Sequence, residues 1–196
     1  EGVRRQAHNP RVASGLGVIP RVVANGRSIY QGKLTLDEAR ARIAPYWVPY
    51  HDMLQSLLND ARADHGQAIL VDCHSMPHEA LDPIARSGAR RPEVVIGDRF
   101  GASASAAVVD RIETAFLNAG LCVVRNAPFA GAYITQHYGR PSRRQHAVQI
   151  EIDRSIYMNE HAIRPNANFQ AFRKVLRGDV AENATIGGQD MQMAAE

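Results

Sequence analysis

The chain has 196 residues, of which 45% are hydrophobic and 22% are charged, and its net charge is +3 at neutral pH. These values are ordinary for a soluble globular protein, and no apolar run is long enough for a membrane helix. We therefore expect a single domain over residues 1–196. The chain starts at Glu1 with no methionine and no secretory signal, so we expect an N-terminal segment to be missing.

The distribution of charged residues indicates which class of ligand the protein binds, and the cysteines indicate the cellular compartment. Arg90-Arg91 and Arg143-Arg144 form local basic clusters, but the other basic residues are scattered among acids and few aromatic residues accompany them. A small anionic ligand is therefore favoured over nucleic acid. Cys73 and Cys122 lie in apolar runs, which predicts buried, reduced thiols and a cytoplasmic location.

The first predicted elements are a turn and a capped helix. Asn25-Gly26 is typical of a tight turn between two short strands. Thr35 and Glu38 have the spacing of a capping box, in which each side chain bonds to the backbone N–H of the other. This pattern predicts a helix over Leu36–Ala44.

A second helix is predicted beyond two prolines. Pro45 and Pro49 should interrupt the first helix, because proline lacks the backbone N–H that a helix uses. The helical pattern resumes over Tyr50–His65, and Gly66 is expected to end it.

The rest of the chain alternates strands with helices. Four short apolar runs are predicted as strands: Ala68–Cys73, Glu93–Asp98, Leu121–Arg125 and His146–Arg154. Helices are predicted over Ser103–Ala119 and from Asn166 onward. This alternation indicates an α/β fold with a mainly parallel sheet covered on both faces.

In such sheets, ligands bind beyond the carboxyl ends of the strands. The residues just past the first three predicted strands are polar or charged: Asp72-Cys73-His74, Gly97-Asp98-Arg99 and Arg125-Asn126. We expect them to gather at one edge of the sheet.

His74 is the first candidate site residue. Strand side chains alternate, so Asp72 should point to the same side as His74. A carboxylate beside an imidazole is the usual support for a metal-ligating histidine. An ordinary hydrogen-bonded polar residue is the alternative interpretation.

Glu151 is the second candidate. In the fourth strand, alternation places Gln149, Glu151 and Asp153 on one face and three aliphatic residues on the other. The polar face either lies in water, as in an edge strand, or presents Glu151 to a cleft as a general base. Arg154 is either an ion-pair partner or a site residue.

The loop Asn126–Arg144 is long, and long ordered loops are commonly functional. It carries several side chains that form hydrogen bonds: Tyr133, His137, Tyr138 and Arg140. Arg140, like Arg99, has a guanidinium that can hold a carboxylate at two points.

Four blocks of this sequence, in order, resemble the N-formylglutamate amidohydrolase (deformylase) family. They are "DCHSMP", "VVIGDRFGASAS", "NAPFAGAYITQHYGRP" and "HAVQIEIDRSIYMNE", and the resemblance covers roughly Arg11 to Arg177. The family is similar in fold to the zinc carboxypeptidases. The resemblance implies a three-layer α/β/α architecture with a mainly parallel mixed sheet, of the phosphorylase/hydrolase-like type.

The resemblance also implies a reaction and roles. It implies a Zn²⁺ hydrolase of histidine degradation that cleaves N-formyl-L-glutamate, a small anionic amino-acid derivative, to formate and glutamate. His74 would be a zinc ligand and Glu151 the general base. Arg140 would have a further role in catalysis. Four other residues would bind substrate: Arg99, Tyr133, His137 and Arg144.

One departure from the family pattern concerns the metal. A catalytic zinc usually has three protein ligands, and the resemblance places the other two, a histidine and an acid, before Glu1. His8, His51, His65 and His78 lack a matching context. Asp153 also stands where an asparagine is expected in relatives.

Two alternatives remain open. The first is a related zinc amidohydrolase or carboxypeptidase-like enzyme that acts on another N-acyl amino acid. The second is a non-catalytic anion-binding module without metal.

Overall fold

The computed structural model describes residues 10–184, apart from positions 16, 24, 25 and 86. Contacts divide the chain into two compact units, Glu1–Leu54 and Gln55–Glu196. The single domain expected from the sequence stays a prediction. His8 and Asn25, which entered the sequence predictions, lie outside the described residues.

The first unit contains short elements. Helix α1 covers Pro10–Ala13, and an antiparallel bridge joins Val22 to Ser28. Helix α2 covers Leu36–Arg42, and its predicted capping box is confirmed. The Glu38 N–H donates to Thr35 Oγ1 over 3.2 Å, and the Thr35 N–H donates to Glu38 Oε2 over 2.7 Å.

The predicted break at the two prolines is wrong. A π-helical turn, Ile43–Trp47, follows α2 directly and leads into helix α3, Val48–His65. The Val48 N–H bonds to Ile43 O, so the wider turn carries the chain past Pro45. Pro49 is tolerated because the first helical turn leaves its N–H groups without an internal partner. Gly66, which has a left-handed φ of 70°, follows the end of α3 as predicted.

The second unit is built on a four-stranded sheet. Its strands are β1 (Ala68–Met76), β2 (Val94–Gly97), β3 (Val123–Arg125) and β4 (Gln145–Asp153), in the spatial order β1-β4-β2-β3. β1 pairs with β4 and β2 with β3 in parallel, whereas β2 and β4 are antiparallel. The predicted α/β fold with a mixed, mainly parallel sheet is confirmed.

The predicted gathering of strand ends at one edge is wrong. Because β2 and β3 run opposite to β1 and β4, their carboxyl ends point the other way, and Gly97 at the end of β2 pairs with Gln149 in the middle of β4. Asp98 and Asn126 meet there, with Asn126 Nδ2 2.6 Å from Asp98 Oδ1. His74 lies in the longer β1, near its carboxyl end.

Helices cover one face of the sheet. Helix α4 (Ala106–Asn118) and helix α6 (Phe169–Ala184) contact each other. Together with the aliphatic face of β4 they enclose the main core, which includes Ile112, Phe116 and Phe172. A two-stranded ribbon of β5 (Met158–Asn159) and β6 (Arg164–Pro165) precedes α6.

The other face is also covered, so the sheet is the middle of three layers. Helix α5 (Tyr133–Tyr138) contacts β4 and β1, and Leu81 of a 3₁₀ segment packs with Met76 and Val95. Gln149 on this face of β4 is only 5% exposed. The interpretation of β4 as an edge strand with a face in water is therefore wrong.

Two further predictions concern the surface. No helix in the described part of the chain is long and apolar enough to cross a membrane. Both cysteines are free thiols, but Cys73 is exposed and Cys122 is half-buried, so the predicted burial is wrong.

Candidate active site

The register of two parallel strands brings His74 and Glu151 together. His74 of β1 is the direct neighbour of Glu151 in β4, and neighbouring strands are about 4.8 Å apart. Two residues that are far apart in the sequence thus share one small region near the carboxyl ends of β1 and β4.

Asp72 supports His74 as the alternation predicted. Its Oδ1 lies 3.0 Å from His74 Nε2, and the carboxylate is mostly buried whereas the imidazole is half exposed. The contact engages Nε2 of the imidazole ring. A fixed ring orientation of this kind is what a catalytic or ligating imidazole requires.

Glu151 lies in a mixed electrostatic environment. Burial raises the pKa of its carboxyl group, and the nearby Asp72 adds to this rise. His74, a hydrogen bond from Gln149 and the charge of Arg154 act in the opposite direction. The pKa stays raised on balance, which brings this carboxyl closer to neutral pH, where a general base works best.

Arg154 supplies a positive charge close to Glu151. It follows β4 directly, and its Nε and Nη2 donate to Oγ and the carbonyl O of Ser75 over 3.2 and 3.0 Å. With His74 it lines a cavity of about 600 Å³ whose wall includes Phe172 of α6. The sequence left the role of Arg154 open, and its position beside Ser75 depends on strand pairing.

The glycine-containing loop after β3 lies against the sheet near Glu151. A Cβ at Gly97 of β2 would be 2.6 Å from the backbone N of Gly131, so the two backbones are in direct contact. The Ala132 N–H donates to Gln149 Oε1 over 2.9 Å. The loop is therefore attached to the strand that carries Glu151.

Tyr133 and His137 both belong to α5, one turn apart. Their rings stack with centroids 5.1 Å apart, and the Tyr133 hydroxyl lies 3.3 Å from His137 Nδ1. Tyr133 directly follows Ala132, so it begins the helix next to Gln149. Its predicted role as a hydrogen-bond donor to substrate stays a prediction.

Two of the three predicted arginines, Arg140 and Arg144, lie at the far end of β4 from Glu151. Arg140 bonds to Gln145 at the amino end of β4, roughly 20 Å along the strand from Glu151. Arg144 lies at the same end, where its carbonyl O accepts from the Ala68 N–H. Arg99 lies two residues beyond Gly97, and its N–H donates to the Ala130 carbonyl O over 2.8 Å.

A second histidine–carboxylate pair lies beyond Glu151 on the same strand. His78 Nδ1 is 2.7 Å from Oδ2 of Asp153, which is 2% exposed. The Asp153 carboxylate also accepts from the Ser155 N–H over 2.9 Å. The acid at position 153 thus has a structural partner in this chain.

The described residues do not fit a complete zinc site. They contain no group of three His, Cys, Asp or Glu side chains placed to hold a metal ion, whereas a catalytic zinc takes three protein ligands. His74 provides one donor. The zinc prediction therefore requires donors from outside the described residues.

Comparison with known proteins agrees with the four sequence blocks. The model of the N-formylglutamate amidohydrolase family matches residues 4–158. The chain belongs to this family. Two curated relatives carry the name N-formylglutamate deformylase. The one from Pseudomonas aeruginosa is 36% identical over 149 residues, and the one from Pseudomonas putida is 33% identical over 147.

The chain spans about half the length of these amidohydrolase relatives. The matches cover 74% of this chain but only 55% and 54% of the two deformylases. A crystal structure of N-formylglutamate amidohydrolase from Ralstonia eutropha is similar with a TM-score of 0.81 and 30% identity, over 96% of this chain and 68% of that one. The likeness therefore includes both the fold and the sequence.

Proposed function

We propose that the chain carries catalytic residues of an amidohydrolase that cleaves the formamide bond of N-formyl-L-glutamate, releasing formate and L-glutamate. The observation that carries this proposal is the register of β1 and β4, which sets the half-buried Glu151 beside His74. Membership of the family and the names of the two deformylases support the same reaction.

Glu151 acts as the general base in this proposal. Its carboxylate takes a proton from a water molecule while the water oxygen attacks the formyl carbon. The same carboxyl group then gives the proton to the glutamate nitrogen as the carbon–nitrogen bond breaks. One amide and one water yield one carboxylic acid and one amine. A raised pKa suits this double task, because the group must both accept and return a proton.

Arg154 is the arginine best placed to meet a carboxylate of the substrate. Its charge acts on Glu151, and its Nε and Nη2 donate to the side-chain and carbonyl oxygens of Ser75. A guanidinium fixed in this way can bind a carboxylate with little further loss of freedom. Arg140, an earlier candidate, lies at the other end of β4.

We infer that His74 is one ligand of a Zn²⁺ ion whose other ligands lie outside the described residues. Participation in histidine degradation and a cytoplasmic location rest on the resemblance alone. The absence of a membrane-spanning helix among the described residues does not bear on them.

The test is formate release from N-formyl-L-glutamate by the full-length protein and by Glu151→Gln. The substitution keeps the size of the side chain but removes the base, so kcat should fall by about 10²–10⁴-fold. Asp153→Asn is the matched control, since it makes the same chemical change two residues further along β4 and should retain activity. Equal activity of wild type and Glu151→Gln would exclude Glu151 as the base.

Substrate profiling separates this reaction from the alternative on another N-acyl amino acid. A pocket that fits the formyl hydrogen should reject the methyl group of N-acetyl-L-glutamate on steric grounds. Faster hydrolysis of the acetyl compound would favour the related amidohydrolase instead. Binding of both compounds without hydrolysis would favour the non-catalytic anion-binding module.

A further inference from the structure

We propose that Gln149 is a positioning residue that fixes the carboxylate of Glu151 and couples it to the loop Ala130–Ala132. The inference rests on the proposed role of Glu151 as the base. It concerns a buried amide to which the sequence patterns assign no function.

Both ends of the Gln149 amide are engaged. Its Nε2 donates to Glu151 Oε1 over 2.8 Å, and its Oε1 accepts from the Ala132 N–H over 2.9 Å. Turning the amide over would set its NH₂ against the Ala132 N–H and its oxygen against the carboxylate. The two partners therefore select one orientation, and the amide always presents its donor to Glu151.

The Ala132 N–H is itself held in place. The Ala130 carbonyl O accepts from the Arg99 N–H over 2.8 Å. Gly131 lies on Gly97, which is the cross-strand neighbour of Gln149. The loop can approach this closely only because Gly97 has no side chain. Gln149 thus bonds to a rigid backbone group on one side and to the candidate base on the other.

The bond from Gln149 restricts the flexible side chain of Glu151 at its carboxylate, the group that takes the proton in the proposed reaction. The bond from Gln149 occupies Oε1 of Glu151 and leaves Oε2 to take the proton. A shift of about 1 Å in a reacting group can cost about 10²-fold in rate. Loss of the Gln149 donor should therefore lower kcat by about 10–100-fold and leave KM nearly unchanged.

β4 offers a matched control. Gln145 is also a buried glutamine on the same side of the strand, at 6% exposed against 5% for Gln149. Its Nε2 donates to the Tyr138 carbonyl O over 2.7 Å, away from Glu151. Gln145→Met and Gln149→Met thus remove the same group from similar surroundings. A role confined to packing would make the two variants alike.

The experiment compares kcat and KM of these two variants and of Gln149→Glu. In its ionised form the Glu variant keeps an oxygen for the Ala132 N–H, but it has no donor for Glu151 and adds a second negative charge beside it, so it should lose kcat as Gln149→Met does. Gln145→Met should stay near wild type. Full activity of Gln149→Glu, or equal losses in the two Met variants, would overturn the proposal.

Crystal structures of the Met variants provide a readout that does not depend on the reaction. In Gln149→Met the Glu151 carboxylate should move or occupy several conformers, whereas in Gln145→Met it should stay in place. If the wild type released no formate, the proposed function would fail while this comparison still decided the role of Gln149. An unmoved Glu151 in Gln149→Met would refute it.

Discussion

Gly97 and Gly131 meet so closely that a methyl group at either position has no room. A Cβ at Gly97 would lie 2.6 Å from Gly131 N, and one at Gly131 would lie 2.5 Å from Thr135 Oγ1. Gly131 also has a φ of 108°, a conformation that other residues rarely adopt. These two residues set how closely the loop packs against the sheet.

Gly97→Ala should therefore destabilise the fold by roughly 1–3 kcal/mol, because the loop backbone must move to admit the methyl group. Urea unfolding measures the change. Gly178→Ala in α6 is the control, since a Cβ there meets nothing within 4 Å. Replacing a helical glycine should stabilise by about 0.5–1 kcal/mol. A neutral Gly97→Ala would show that the loop yields easily.

At the residue scale, alternation within one strand was predictable and pairing between strands was not. The shared side of Asp72 and His74 follows from a period of two. The adjacency of His74 and Glu151 depends on the register of strands 77 positions apart, as in the pair Ala68 and Gln145. No local pattern encodes that register. Gln149 was predicted on the same face as Glu151, but its bond to the Ala132 N–H depends on the position of the loop.

At the scale of the elements, the N-cap of α4 donates a hydrogen bond to a histidine ring nitrogen. The Ser105 N–H, at its N-cap, donates to Nδ1 of the buried His146 of β4 over 3.2 Å. Burial lowers the pKa of His146. Protonation would place a charge in the core and convert the acceptor into a donor.

The stability of the protein should consequently fall in mild acid. Since the pKa of His146 is lower when folded, its contribution is complete above the unfolded value of about 6.5 and declines as the pH falls below it. His146→Gln keeps a polar side chain but cannot titrate, so its free energy of unfolding should vary less between about pH 7 and 5. Parallel curves for variant and wild type in urea titrations would contradict this.

Elements defined by neighbouring residues were predicted more accurately than those defined by pairing. The capping box of Thr35 and Glu38 needs only three residues of spacing, and it is present. The direction of β2 is not a local property. The alternation of strands and helices therefore predicted a sheet, but it did not predict that β2 and β4 are antiparallel. The helix through Pro45 depends on a π-helical turn, which has no clear sequence signal.

At the scale of the whole molecule, the metal content tests the proposed role of His74. If His74 is a zinc ligand, the full-length protein should bind about one zinc per chain, as a three-ligand catalytic site does. His74→Ala should lose the metal, whereas His161→Ala, an exposed substitution in the turn between β5 and β6, should keep it. Elemental analysis measures the ratio. Full metal content in His74→Ala would remove His74 from the ligand set.

The order of the strands has a consequence for synthesis on the ribosome. β4 is the last of the four strands in the chain, yet it lies between β1 and β2, which do not pair with each other. The nascent chain therefore holds β1 alone and β2 paired only with β3 until residues 145–153 emerge. During that interval their exposed N–H and C=O groups can recruit a foreign strand. Chaperone demand should be concentrated there and end once β4 inserts.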